Sequence, residues 1–433
     1  MTAGLEPTGN IVSQPWLTAP ETRTVVAAFA AAGAEMRFVG GCVRDAVLKR
    51  PIKDIDIATP ELPGKVVALL EAAAIKAVPT GLGHGTVTAV IGKAHFQITT
   101  LRLDVETDGR RAKVAFTDDW AADAGRRDFV INTLSSTPGG DVYDPFGALE
   151  DLGDRLVRFV GIPKERIEED VLRLLRFFRF HAAYGNPPPD PGALAACREM
   201  AHRLPELSGE RVREEMFQIL LGPDPADIAQ LMRGERILEH ILPEAGDVGR
   251  LRMLCWLDSR AVKIASVVPD PLRRLAALLE AGKGGAAAVA ARFRLSNKDA
   301  ARLTAMMAAP FTLSPESKAA ARRRALHQAG AETVRDLVLL NWAGEMAVTP
   351  RRQAERSRQW IELLGAADEW TVLEFPLKGG DAAALGVPEG PRIGQLLGAV
   401  ESWWQDGDFT ADRRACLDKL ESLLAAEPAA KPD

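Results

Sequence analysis

The first 160 residues of the chain alternate between two hydrophobic periods. Apolar positions at helical spacing run over Pro20–Ala32, give way to the short apolar run Met36–Val39, and resume after Gly40-Gly41 through Val43–Leu48. Ile55–Ala58 then reads as a strand and Glu61–Ala73 as an amphipathic helix. Gly85–Ile91 and Phe96–Leu101 are rich in Val, Ile and Thr and are separated by Gly92-Lys93, the composition of a β-hairpin. These elements predict a mixed α/β module with at least one antiparallel pair. After Gly161, Leu, Ala, Arg and Glu recur at three- and four-residue spacing, which predicts helices for most of the remainder. Breaks fall at Asn186-Pro-Pro-Pro-Asp-Pro191, at Gly222-Pro-Asp-Pro225 and at Gly379-Gly380.

A length of 433 residues corresponds to roughly three domains at about 150 residues each. The 54 Lys and Arg stand against 59 Asp and Glu, a net charge of −5, so overall basicity gives no hint of a nucleic-acid partner. Four cysteines, Cys42, Cys197, Cys255 and Cys416, lie far apart and never as C-x-x-C, against a disulfide framework and a zinc site. Neither a leader pattern nor an apolar run of spanning length is present, and the expectation is a soluble cytoplasmic protein with no membrane partner.

Phe38-Val-Gly40-Gly41-Cys-Val-Arg44-Asp45 runs from a strand through two glycines into a helix. It is either a tight turn with no ligand or a cradle of backbone N–H groups for phosphate, to which Arg44 adds a guanidinium. Asp54 and Asp56, at i and i+2, project from one face of a strand: a solvated strand end, or a pair that chelates a hard divalent cation. Directly downstream of the glycine turn, the pair supplies what phosphoryl or nucleotidyl transfer needs. Arg127, Asp128 and Asn132 lie within about one helical turn, so Asp128 can accept from a ribose hydroxyl while Arg127 reaches phosphate; the plain alternative is a helix-start carboxylate beside a surface arginine. Glu169-Asp170-x-x-Arg173 opens a helix whose basic residues recur at Arg173, Arg176 and Arg179. Asp170 and Arg173 form either a surface ion pair or a matched acceptor and donor for a base edge.

These blocks, in this order, resemble the class II tRNA nucleotidyltransferases (CCA-adding enzymes) and their relatives, the bacterial poly(A) polymerases. The likeness runs from Gly40-Gly41-x-Val43-Arg44-Asp45 and Asp54-x-Asp56-x-Ala58-Thr59 through Gly81-x-x-His84-Gly85-Thr86, Thr99-Thr100-Leu101-Arg102 and Arg126-Arg127-Asp128-Phe-Val-Ile-Asn132. It continues with Asp144-Pro-Phe-Gly147, Asp151-Leu152 and Glu169-Asp170-x-x-Arg173-x-x-Arg176. The resemblance implies an α+β protein: a polymerase β-like nucleotidyltransferase head with a mixed sheet (1–160), then an all-α neck (161–222), body (223–370) and tail (371–433). It implies CTP and ATP as substrates, tRNA rather than DNA as partner, and Mg²⁺ on Asp54 and Asp56. Gly40, Gly41 and Arg44 would take the triphosphate, and Arg127, Asp128 and Asn132 the ribose. Glu169, Asp170, Arg173 and Arg176 would select the base, with Glu169 holding Arg173 in place.

In the family a glutamate commonly precedes Thr99-Thr100, and here Gln97 stands there. By the same resemblance Asp104–Arg111 is the flexible loop of a full CCA-adding enzyme, and Ser208-Gly-Glu210-Arg211 caps the neck helices. Arg322-Arg323-Arg324 is a solvated face or an RNA contact, and Trp403-Trp404 is core or a stacking surface. The competing readings are a poly(A) polymerase, against which the chain's end lacks a basic extension, and a partial enzyme adding only C residues or only A.

Overall fold

The computed structural model describes residues 6–11, 14–81, 83, 85–108, 111–280, 282–349 and 354–426; the side chains of Thr80, 104–108, 111–114 and Lys283 are outside the description. His84, the tip Gly109-Arg110 and the final segment 427–433 therefore lie outside the described residues. The chain divides into two compact units, Met1–Pro243 and Glu244–Asp433. Among the described residues no helix is long and apolar enough to cross a membrane.

Unit 1 opens with β1 (Gly9–Asn10), α1 (Pro20–Ala31), β2 (Arg37–Val39), α2 (Gly41–Val47), β3 (Ile55–Thr59) and α3 (Pro63–Ala72). Four strands follow, β4 (Lys76–Gly81), β5 (Thr86–Ile91), β6 (Ala94–Thr100) and β7 (Arg102–Asp108), then β8 (Arg111–Phe116) and α4 (Trp120–Gly125). After a 3₁₀ turn at Val130–Asn132 come β9 (Ser135–Ser136), β10 (Asp141–Tyr143) and α5 (Ala148–Asp154). Eight strands form one mixed sheet in the order β1-β10-β9-β2-β3-β6-β5-β4. Among the described residues only β3 and β6 pair in parallel, and the hairpin β5-β6 turns at Gly92, whose φ of +59° suits a two-residue connection. Of the segment expected as a loop, Asp104–Asp108 lie in β7 and Arg111 begins β8, and these two strands pair antiparallel on either side of the undescribed tip.

Helices complete the unit: α6 (Pro163–Glu169), α7 (Leu172–Tyr184), α8 (Pro191–Met200), α9 (Gly209–Leu221), α10 (Pro225–Gly234) and α11 (Leu238–Ile241). Pro163, Pro191 and Pro225 each stand at the first helical position, where the missing N–H costs nothing, and Asp190 caps α8 through the N–H of Ala193 at 2.7 Å. Helix α7 buries Leu174, Leu175, Phe177 and Phe178 on one side and carries Arg173, Arg176 and Arg179 on another. Phe129 and Phe159, both fully buried, pack with Phe177 and Phe180 at ring separations of 4.9 to 6.5 Å. Burying each such ring contributes about 2–3 kcal/mol, and the cluster pins the turn after Asp128 to α7.

Unit 2 is helical: α12 (Gly249–Trp256), α13 (Pro271–Leu278), α14 (Lys283–Arg292), α15 (Asn297–Met307), α16 (Ala319–Val348, broken at Gly330), α17 (Ala354–Asp368), α18 (Gly379–Ala384), α19 (Pro391–Asp406) and α20 (Arg413–Ala426). Its interior holds a charged cluster in which Asp336 accepts from Arg273 at 3.1 Å and from Arg302 at 2.7 Å, while Arg274 pairs with Asp258 at 2.7 Å. Of the tryptophan pair, Trp404 is core beside Leu396, Val400 and Leu420, and Trp403 is partly exposed. Arg323 and Arg324 are ion-paired with Asp408 and Asp406, and Arg322 donates to the carbonyls of Ser317 and Pro315. Each arginine of that run thus has a partner within the protein.

Candidate active site

The turn between β2 and α2 is built by Gly40, whose φ of +71° and ψ of −127° are costly for any residue with a side chain. A Cβ at Gly40 would stand 2.8 Å from Nη1 of Arg127, so the guanidinium occupies the space the glycine leaves. Substituting Gly40→Ala is expected to cost about 1–2 kcal/mol of backbone strain and to push Arg127 away, lowering nucleotide incorporation about tenfold. Thermal melts and KM measured together check this, and unchanged kinetics would remove Gly40 from the site.

Asp56 sits within β3, whereas Asp54 precedes it. Burial pushes the Asp56 carboxyl up; Arg127 pulls it down and Asp54 pushes it further up. Its register partner on β6 is Gln97, so the two side chains point to the same face. No group of three or more His, Cys, Asp or Glu suited to a metal occurs among the described residues. Two carboxylates with an amide beside them fit a hard cation that keeps several waters and takes further oxygens from a ligand. Gln97→Glu, which would place a third carboxylate on that face, is expected to leave incorporation intact or raise it; a large loss would show that position 97 does not face the aspartates.

Arg44 is buried, and three of its five N–H bonds are used: Nε and Nη2 donate to the two oxygens of Asp45 at 3.0 and 2.9 Å, and Nη1 to Asn132 at 2.5 Å. Asp128 accepts from Nε of Arg176 at 2.7 Å, from Asn132 at 3.0 Å and from the N–H of Phe129 at 2.9 Å. Burial alone would raise its pKa, but Arg176 and these hydrogen bonds outweigh it and hold the carboxyl below the ordinary range. Asp123, itself buried, pairs with Arg126 at 2.8 Å and Arg127 at 3.4 Å.

The block at 169–173 does not open one helix. Glu169 ends α6, Asp170 forms the turn by accepting from the N–H of Leu172 at 3.1 Å, and α7 starts after it. Arg173 donates through Nη1 to Glu169 and to the carbonyl of Arg166 at 3.1 Å, leaving Nε and the second amino group without a partner among the described residues. Asp170 pairs not with Arg173 but with Arg211 of α9, at 2.7 Å. Glu215, one turn further along α9, lies 3.2 Å from Arg179 and 4.0 Å from Arg176; burial pushes its carboxyl up against the pull of both.

One cleft of about 680 Å³ in unit 1 gathers these groups. Its lining includes Gly40, Gly41, Arg44, Asp54, Asp56, Arg127, Asp128, Asn132, Asp170, Arg173 and Arg176. All the sequence-derived site residues are there except Glu169, which stands behind Arg173. Arg126, Leu172, Arg179, Phe180 and Arg211 line it too. Arg179 was legible from the three-residue spacing of α7; Arg211, read as a helix start, carries no signal for a contact 41 residues away. Seven arginines against four aspartates give the cleft a net positive charge within an acidic chain, suited to a polyanion.

A mixed sheet that brings a glycine turn and two aspartates to the edge of an arginine-lined cleft is the construction of a nucleotidyltransferase. Residues 36–158 match the family model described as "Poly A polymerase head domain", and residues 189–247 match "Probable RNA and SrmB- binding site of polymerase A". The chain is similar to the mitochondrial CCA tRNA nucleotidyltransferase 1 of Danio rerio, at 31% identity over 89% of this chain and 87% of the relative. It is similar at 31% identity to the CCA-adding enzyme of Limosilactobacillus fermentum, over 93% of this chain and 97% of the other. The crystal structure of the Bacillus stearothermophilus CCA-adding enzyme in complex with CTP superposes with a TM-score of 0.73 at 26% identity, covering 94% of this chain and 98% of that one. The chain belongs to the CCA tRNA nucleotidyltransferase family.

Proposed function

We propose that the protein builds or repairs the 3′-terminal CCA of tRNA from CTP and ATP without a nucleic-acid template. Supporting the reading is the convergence, in one cleft, of the Asp54/Asp56 pair, the Gly40-Gly41 turn and the Asp170/Arg173 donors and acceptors, in a chain alike over nine tenths of its length to a CCA-adding enzyme.

In this reading the 3′ hydroxyl of the RNA attacks the α-phosphorus in line, the new P–O bond forms as the bond to the β-phosphate oxygen breaks, and pyrophosphate leaves. Asp54 and Asp56 would hold Mg²⁺, which when bound would offset charge on the triphosphate and favour ionisation of the attacking hydroxyl. The two N–H bonds of Arg44 that have no partner among the described residues, with the backbone at Gly40 and Gly41, hold the triphosphate. Arg127 reaches phosphate, and Asp128, oriented by Arg176 and Asn132, accepts from the ribose. Arg173 offers its free donors to the base edge beside the acceptor Asp170, with Glu169 fixing the guanidinium. Head (1–160), neck (161–222), body (223–370) and tail (371–433) remain the proposed divisions, with the helical parts gripping tRNA by shape and phosphate contacts. The four free cysteines suit a reducing compartment, and we place the activity in the cytoplasm.

The family models, named for polyadenylation, favour one second reading, a poly(A) polymerase. Incubation with tRNA truncated before CCA, given CTP, ATP or both, separates the two. Addition of three nucleotides only with both substrates supports the proposal; long A tails establish the polymerase, and C residues alone with both present establish a partial enzyme.

A further inference from the structure

Resting on the reading of the cleft as a nucleotide site, the geometry points to Tyr184 as a positioning residue that sets the tilt of Arg44 and ties the triphosphate end of the cleft to the base end. The hydrogen bonds of Arg44 to Asp45 and Asn132 hold the edges of the guanidinium, and its face meets two rings, Phe180 at 5.4 Å and, closer, Tyr184. The Tyr184 ring lies 4.0 Å from Cζ of Arg44, and the Tyr184 hydroxyl donates at 3.0 Å to Oδ1 of Asp45, the same oxygen that receives Nε of Arg44. One side chain thus supports both the face of the cation and its counterion. Tyr184 is itself held. Cζ of Arg50 lies 4.6 Å from the same ring, and Nη1 of Arg50 donates to the carbonyl of Ala183 at 2.9 Å.

Tyr184 is the last residue of α7, and Arg173 is in its first turn, so a rigid helix of about 20 Å separates the residue under Arg44 from the donor for the base. The role is positional: Arg44 keeps its charge without Tyr184 and loses only its orientation.

The test uses the full chain with Tyr184→Leu and Tyr184→Phe. Calorimetric binding of CTP and of CMP is measured alongside KM and kcat with truncated tRNA. Stacking of this kind is worth about a fivefold to tenfold change in affinity. Tyr184→Leu is expected to weaken CTP by that factor and raise KM with kcat nearly kept, while CMP, which lacks the β- and γ-phosphates, changes by less than about twofold. Tyr184→Phe, which keeps the ring, is expected to restore most of the CTP affinity. Unchanged CTP binding by Tyr184→Leu overturns the inference, as does an equal loss for CMP, the mark of general packing damage. A native chain that binds no CTP overturns the reading of the cleft and the inference with it.

Discussion

Replacing Asp56 by asparagine lowers nucleotide incorporation by about a thousandfold or more, the loss of several kcal/mol of transition-state stabilisation expected when a metal-holding carboxylate is removed. The fold does not suffer. Burial raises the Asp56 carboxyl and Asp54 raises it further, so the charge opposes folding once both states are ionised. For a carboxylate with a raised native pKa the sign is clear: at neutral pH the ionised side chain costs stability, and that cost disappears as pH falls through the raised value. Asp56→Asn is therefore expected to melt at or slightly above the temperature of the native chain near pH 7, the difference closing in mild acid. Mg²⁺ alone gives a second readout. By mass action it raises the melting temperature of the native chain and leaves Asp56→Asn unmoved. Incorporation within tenfold of native, or equal stabilisation of both proteins by Mg²⁺, would remove Asp56 from the metal site.

Local features of this architecture were legible because they are local. The hairpin through Gly92, the strand holding Asp56 and the apolar face of α7 follow from period and turn chemistry. Glu169 and Arg173 stand four residues apart, and their pairing needs no tertiary information beyond a turn between two helices. What could not be read is the set of contacts that exist only once helices pack. Asp170 has Arg173 three residues away, yet the capping turn that stops α6 aims its carboxylate at Arg211 of α9. Tyr184 carries no signal in the sequence, and only the approach of α2 makes it the floor under Arg44. The run Arg322-Arg323-Arg324 reads as a positive face until Asp406 and Asp408, more than 80 residues on, are brought to it.

Converting Asp128 to asparagine tests the other half of the cleft, where stability and specificity meet in one side chain. Asp128 is 10% exposed, and Arg176, 31% exposed, depends on it, with Glu215 the next carboxylate at 4.0 Å. Removing one partner of a buried pair costs about 3–5 kcal/mol; with Arg176 partly solvated, about 2 kcal/mol is expected here. Because Arg176 and the hydrogen bonds hold the native carboxyl below its ordinary range despite burial, the stabilisation is fully present above the unfolded carboxylate pKa. It is lost as pH falls through the lowered native value. Glu215, whose carboxyl is raised, protonates earlier on that descent and leaves Arg176 to Asp128 alone. The gap in melting temperature between native and variant is therefore steady near neutrality and closes only in strong acid. On the functional side, a charged acceptor for the ribose is worth about 1.5–3 kcal/mol, and both nucleotides carry the ribose. KM is expected to rise for CTP and ATP together by about 10- to 100-fold, while the preference for CTP over dCTP shrinks towards one. A variant that melts earlier but keeps its discrimination against dCTP would leave Asp128 as a structural ion pair and move ribose recognition elsewhere in the cleft.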